Sequence, residues 1–179
     1  MFKVYAKKIK YVDWRNIFKL IVGLILTREI RIDGLNSGKT IENIINQACS
    51  NKGITNIKDI KKNLIIPSVD LNTGAVYIFS SIKENRSYSD KIQYINNIEI
   101  GKAVRSSCSY PGVFSPCPYK TTELIDGGIR ENVPWKELKE NGVDRVISVV
   151  FTKNIKYKRK KNILDVIGSS IDIMGHELS

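Results

Sequence analysis

The stretch TTELIDGGIRENVP, residues 121–134, decides how this chain is read. A short apolar run, Leu124 and Ile125, ends in Asp126, and Gly127 and Gly128 follow at once. Pro134 then opens PWKELKENG (134–142) as a helix, with Gly142 just past its end. DRVISVVF (144–151) reads as a buried strand after it. Strand, helix and strand in alternation predict an α/β sheet with helices packed on it. Asp126 itself has two readings. Asp-Gly is a common turn in which the carboxylate bonds its own backbone. The other reading is a carboxylate held for chemistry at the end of a buried strand. In that case the two glycines let the backbone turn with positive φ and leave room for a close neighbour.

Upstream, NLIIPSVDL (63–71) and AVYIFSSI (75–82) read as a β-hairpin around Asn72, Thr73 and Gly74. Pro67 inside the first strand predicts a strand end or an edge. IDGLNSGK (32–39) is a turn-rich break, with Asn36 or Ser37 capping a helix that carries Ile41, Ile44, Ile45 and Ala48 at helical spacing and stops at Gly53. KENRSYSDK (83–91) is a polar loop. IGKAVRSSCSYPGVF (100–114) begins as a short helix with Ala103, Val104 and Cys108 inward, and breaks at Pro111 and Gly112. Residues 1–31 are predicted helical and basic, residues 153–161 a basic loop, and ILDVIGSSIDIMGHEL (163–178) a terminal helix.

Composition narrows the possibilities. The 179 residues are 42% hydrophobic and 26% charged, as in an ordinary globular domain. Lys and Arg number 29 against 18 acidic residues, a net charge of +11 that attracts anionic partners. Cys49, Cys108 and Cys117 form no CxxC pair, which argues against a disulfide framework or zinc site and for reduced thiols in a cytosol. His176 is the only histidine, so no internal histidine is available as a base. The apolar run IFKLIVGLIL (17–26) holds Lys19 and is shorter than the roughly 20 residues a spanning helix needs. It reads as a buried or interfacial helix, with Trp14 and Phe18 belonging to core, acyl pocket or membrane contact.

Three stretches together resemble the patatin-like phospholipase family: PSVDLNTGAVYIFSS (67–81), IGKAVRSSCSYPGVFSP (100–116) and ELIDGGIRENVPWKELKENGVDRVISV (123–149). The resemblance is best over residues 60–152. It implies a three-layer α/β/α sandwich and lipid acyl hydrolysis by a Ser-Asp dyad, without metal or cofactor. Asp126 takes the place of the family's catalytic aspartate, and Gly127 and Gly128 complete its motif. A dyad suits a chain so poor in histidine: a partly buried carboxylate with a raised pKa serves as base to a serine.

The family's nucleophile lies in a GxSxG elbow, preceded by a Gly-rich oxyanion loop. Neither is in this sequence. In GLNSG (34–38) Ser37 is one place too late, and in GSSID (168–172) Asp172 follows Ser170 where glycine is required. The expectation is therefore a single domain over residues 1–179 that corresponds to the C-terminal portion of a patatin-like protein, through a frameshift, a split gene or a late start. Such a chain has Asp126 and no serine partner, exposes apolar faces, and hydrolyses nothing alone; a missing N-terminal segment is its implied partner.

The densest basic cluster is Lys153, Lys156, Lys158, Arg159, Lys160 and Lys161, with Tyr157 among them. It reads either as a solvated loop or as a contact for an anionic membrane surface. The second reading of the whole chain is accordingly a non-catalytic lipid-binding module, peripheral to a membrane. No nucleic-acid motif accompanies the charge, and nucleic acid is not an expected partner.

Overall fold

The computed structural model describes residues 13–26, 33–82, 91–130, 135–140 and 142–149, together with 166, 168–170 and 173. They fall into two compact units, one through Gly127 and one from Gly128 onward. The fold is α/β.

The first unit is built on the predicted hairpin. Strands β2 (Ile65–Asp70) and β3 (Val76–Ser80) pair antiparallel, from Ile65 opposite Ser80 to Val69 opposite Val76. Asp70 shapes the turn: its carboxylate accepts the Asn72 N–H at 2.8 Å and the Thr73 hydroxyl at 2.9 Å. Strands β4 (Ile92–Ile95), β6 (Cys117–Tyr119) and β7 (Thr122–Asp126) complete a five-stranded sheet of order β4-β3-β2-β7-β6. Only β4 runs parallel to its neighbour. The short strands β4 and β6 were not expected, because three or four residues carry too little alternation to separate them from loop.

Pro67 lies in a central strand and not at an edge, which corrects the sequence expectation. The reason is register. The Asp70 N–H reaches the Ala75 carbonyl and the Ser81 N–H reaches the Leu64 carbonyl, so the hydrogen-bonded pairs with β3 fall at even positions of β2. Pro67 is out of phase with them, and its nitrogen faces the β7 side. Pairing with β7 begins only at Ser68, opposite Asp126. The missing N–H therefore costs the β3 ladder nothing.

One face of this sheet carries Ile66, Tyr77, Phe79, Cys117 and Leu124 into the main core. Helix α3 (Ile100–Ser107) covers it through Ile100 and Ala103, with Ile57 from a short 3₁₀ turn (Ile57–Asp59). Tyr119 meets Tyr77 and Phe79 edge-on, each at 6.0 Å between ring centres. Helix α2 (Lys39–Ser50) packs on α3. The approach is close enough that a Cβ on Gly101 would stand 2.3 Å from the Glu42 carbonyl oxygen. Between the two helices, Arg105 and Glu42 form an ion pair at 2.9 Å, both side chains largely buried.

The region read as a turn-rich break is more ordered than expected. Strand β1 (Gly34–Asn36) pairs parallel with β5 (Gly112–Phe114), so Gly112, which lies past the end of α3 as expected, also opens a strand. A Cβ on Gly34 would lie 2.3 Å from the Ser115 nitrogen, so here glycine permits strand contact. The N-cap of α2 is Gly38, at φ 71°, and neither Asn36 nor Ser37. Asn36 instead accepts the Gly38 N–H at 2.8 Å and bends the chain into that position. Gly53, also at φ 71°, ends α2 as predicted, with the Ile54 N–H returning to the Cys49 carbonyl.

Helix α1 (Trp14–Leu26) begins at Asp13, whose carboxylate accepts the Arg15 N–H at 3.0 Å. Asn16 ties it to β1 by donating to the Gly34 carbonyl at 3.0 Å. Its aromatic face is exposed, so Trp14 and Phe18 are not plain core. The rest of the predicted 1–31 helix lies outside the described residues. Among the described residues no helix is long and apolar enough to cross a membrane.

In the second unit, helix α4 (Trp135–Glu140) appears where expected. Gly142 closes it at φ 79°, with its N–H to the Lys139 carbonyl and the Val143 N–H to the Leu138 carbonyl. Residues 144–149 form no strand, contrary to expectation: Ile147 is 93% and Val149 80% exposed. An apolar run becomes a strand only when neighbours pair with it, and no described residue does so here. Val166, residues 168–170 and Ile173 are helical; the remainder of the predicted terminal helix lies outside the described residues.

Candidate active site

Asp126 is the last residue of β7. Alternation along the strand puts it on the same face as Leu124, the face covered by α3. It stands opposite Ser68 of β2 and is half-buried. Its backbone N–H donates to the Ser109 carbonyl oxygen at 3.1 Å, which joins the strand end to the chain leaving α3. Ser109 is itself fixed, its hydroxyl donating to the Arg105 carbonyl at 2.9 Å. The carboxylate is thus carried at the end of a sheet strand whose last N–H is tied to the chain leaving α3.

Gly127 opens a 3₁₀ turn (Gly127–Ile129) directly after Asp126. Its φ is not in the left-handed region, which corrects that half of the expectation. The other half, room for a close neighbour, holds: a Cβ at Gly127 would sit 2.5 Å from the Pro67 carbonyl oxygen. Glycine is required here by sheet packing and not by an unusual turn.

Ser68 is the nearest serine by register, but it is completely buried and its hydroxyl donates to the Ile125 carbonyl at 2.7 Å. That bond locks the side chain into the sheet. Ser37 accepts the Lys39 N–H at 3.5 Å in the turn before α2, and Ser170 donates to the Val166 carbonyl at 3.0 Å along a helix. Both behave as local turn and helix residues.

Cys108 was expected to face inward. It is an exposed residue instead, immediately after α3. Burial of the thiol nonetheless pushes its pKa up, and the negative charge of Asp126 pushes the same way. The sulfur therefore shares the electrostatic surroundings of the carboxylate. Sequence reasoning missed this neighbour. No signal in the sequence joins positions 108 and 126, because the fold alone brings them near each other.

The basic cluster Lys153, Lys156, Lys158, Arg159, Lys160 and Lys161 lies outside the described residues. Among the described residues no group of three or more His, Cys, Asp or Glu side chains is placed to hold a metal ion.

Comparison with known proteins gives the chain a family and relatives. The sequence profile of the family described as patatin-like phospholipase matches residues 3–139. The uncharacterised protein YqhO of Bacillus subtilis is 32% identical over 139 residues, which cover 73% of this chain and 45% of that protein. An uncharacterised protein of Acanthamoeba polyphaga mimivirus is 32% identical over 114 residues, covering 64% of this chain and 34% of that one. The chain spans less than half the length of these relatives. It belongs to the patatin-like phospholipase family, a family of lipid acyl hydrolases.

Proposed function

We propose that Asp126 is the general base of a Ser-Asp lipid ester hydrolase, and that the serine and oxyanion donors of that enzyme come from residues outside these 179. The observation that carries the reading is the placement of Asp126: a half-buried carboxylate at the end of a core strand, with Gly127 pressed on the Pro67 carbonyl behind it. Family membership supports the same role. No GxSxG occurs in the sequence.

In the proposed reaction Asp126 accepts the hydroxyl proton of the serine as its oxygen attacks the ester carbonyl. The tetrahedral intermediate collapses to an acyl-serine, and the leaving alcohol takes the proton back from Asp126. Water then gives a proton to Asp126 and attacks the acyl group, releasing the fatty acid and returning the proton to the serine. Each oxyanion donor contributes roughly 2.7–4 kcal/mol to such a reaction. A chain with neither serine nor donors has no covalent route. The three cysteines Cys49, Cys108 and Cys117 are free, which supports a cytoplasmic setting for the protein.

The test is hydrolysis of a short-chain p-nitrophenyl ester by the pure chain and by Asp126→Asn. Both are expected at background. Turnover by the wild-type chain that disappears in Asp126→Asn would overturn the proposed division of the site. A second reading, lipid-surface binding without catalysis, is favoured by the exposed apolar face of α1.

A further inference from the structure

Helix α1 turns one side toward the fold and leaves an apolar stripe outside. Asn16, Leu20 and Gly23 face inward, and the Asn16 amide bond to the Gly34 carbonyl at 3.0 Å fixes the rotation of the helix. The opposite face carries Trp14, Phe18, Ile21 and Ile25, at spacings of four, three and four, which align them in one stripe. All are exposed, Trp14 at 76%, Phe18 at 68% and Ile25 at 74%. Arg15 and Lys19 stand exposed beside the stripe, Arg15 with Asp13 at 3.6 Å, and the helix itself holds no acidic residue.

The charge of the surrounding sequence points the same way. Residues 1–31 hold eight basic and two acidic residues, so six of the eleven net positive charges of the chain belong to this segment. The helix has 13 residues, about 20 Å of length, against a hydrocarbon core of about 30 Å. Over its described residues it is too short to span a bilayer and suited to lying in its surface plane. Aromatic and aliphatic side chains on one face with cations at its border are the features of an interfacial helix. Anionic lipid satisfies both at once, whereas a purely apolar protein partner would give Lys19 no counter-charge and Arg15 none beyond Asp13.

We infer that α1 docks the chain on anionic lipid surfaces. Trp14, Phe18, Ile21 and Ile25 enter the boundary between headgroups and acyl chains, and Arg15 and Lys19 meet anionic headgroups. The inference stands apart from the role of Asp126, since docking needs no chemistry.

The experiment is flotation of the full chain with phosphatidylcholine vesicles, with and without phosphatidylserine. Emission of Trp14 is followed in parallel in a Trp135→Phe background. Phosphatidylserine is expected to raise binding about tenfold or more, given about 1 kcal/mol for each basic residue near the surface. Trp14 emission should shift to the blue, and high salt should release the chain. Ile25→Asp or Phe18→Asp should abolish the shift, Arg15→Gln with Lys19→Gln should remove the phosphatidylserine preference, and Asp126→Asn should bind as wild type. Absence of binding, equal binding to both vesicles, or an unmoved Trp14 emission would overturn the inference. So would an Ile25→Asp chain that binds normally but changes its oligomeric state, which would make a second copy the occupant of this face. The emission shift is read on the unaltered helix, so the inference is tested even if a charged variant misfolds.

Discussion

The backbone N–H of Asp126 donates to the carbonyl oxygen of Ser109, and Cys108, one residue earlier, senses the charge of the Asp126 carboxylate. The thiol is therefore a reporter of the carboxylate. Burial raises its pKa first, and Asp126 raises it further by disfavouring a second negative charge. Asp126→Asn removes the second contribution and leaves the first. The Cys108 pKa should fall, the thiolate fraction at mildly alkaline pH should rise, and alkylation of Cys108 should quicken several-fold. Mass spectrometry of iodoacetamide-treated protein checks this. An unchanged rate would mean that the two groups do not share a site.

Gly127→Ala should damage both stability and the site. The new Cβ would meet the Pro67 carbonyl oxygen at 2.5 Å, and backbone is poorly able to yield. Overpacking of this kind costs about 1–3 kcal/mol. Thermal denaturation should show a loss of that order, and Cys108 alkylation should change with it as β7 shifts. Gly53→Ala meets no atom within 4 Å and strains only the helix end, at φ 71°, so its effect should not reach Cys108.

Asp70 should make the fold acid-sensitive. Burial acts to raise its pKa, but hydrogen bonds from Thr122, Asn72 and Thr73 outweigh burial, and the net shift is downward from 3.8. A depressed carboxylate pKa stabilises the fold above the ordinary aspartate value. That stability is lost as pH falls below 3.8 toward the folded-state pKa, where the native chain must take up a proton. Asp70→Asn should lower stability at neutral pH by about 2 kcal/mol, the scale of hydrogen bonds to a charged group. It should also flatten the acid limb. Urea melts at neutral and acid pH test both statements.

The Arg105–Glu42 pair between α2 and α3 should be strongly non-additive. Both side chains are largely buried, and the Arg105 Nε is buried without a hydrogen-bond partner. Glu42→Gln leaves the guanidinium charge uncompensated and should cost about 3 kcal/mol. Arg105→Met in the same chain removes that charge and should restore much of the loss. A double variant no more stable than Glu42→Gln alone would show that the ion pair is not the source of the cost.

Sequence reasoning worked where a signal repeated itself. Alternating apolar residues in 63–82, a turn at Asn72–Gly74, and glycines at 53 and 142 placed β2, β3 and two helix ends correctly. Asp126 was singled out because the stretches around it resemble one family, and its role as a base is the proposal made above. Strands β1, β4, β5 and β6 were not legible, since each spans only three or four residues and exists through its partner. Gly34 misled for the same reason: a glycine that permits close strand contact looks like a turn residue. The run 144–149 shows the opposite error, an apolar pattern read as buried that stands exposed as Ile147 and Val149. Periodicity reports what a segment is able to bury, and packing decides whether it does.

The central claim is that Asp126 works as a base for a serine supplied from outside this chain. The most direct measurement joins the chain to an N-terminal segment of a patatin-like hydrolase that carries a GxSxG elbow, and compares ester turnover in three proteins. The chain alone should remain at background, the joined protein should hydrolyse the ester, and Asp126→Asn in the joined protein should return it to background. Hydrolysis by the chain alone, or a folded joined protein whose activity is indifferent to Asp126→Asn, would contradict the account.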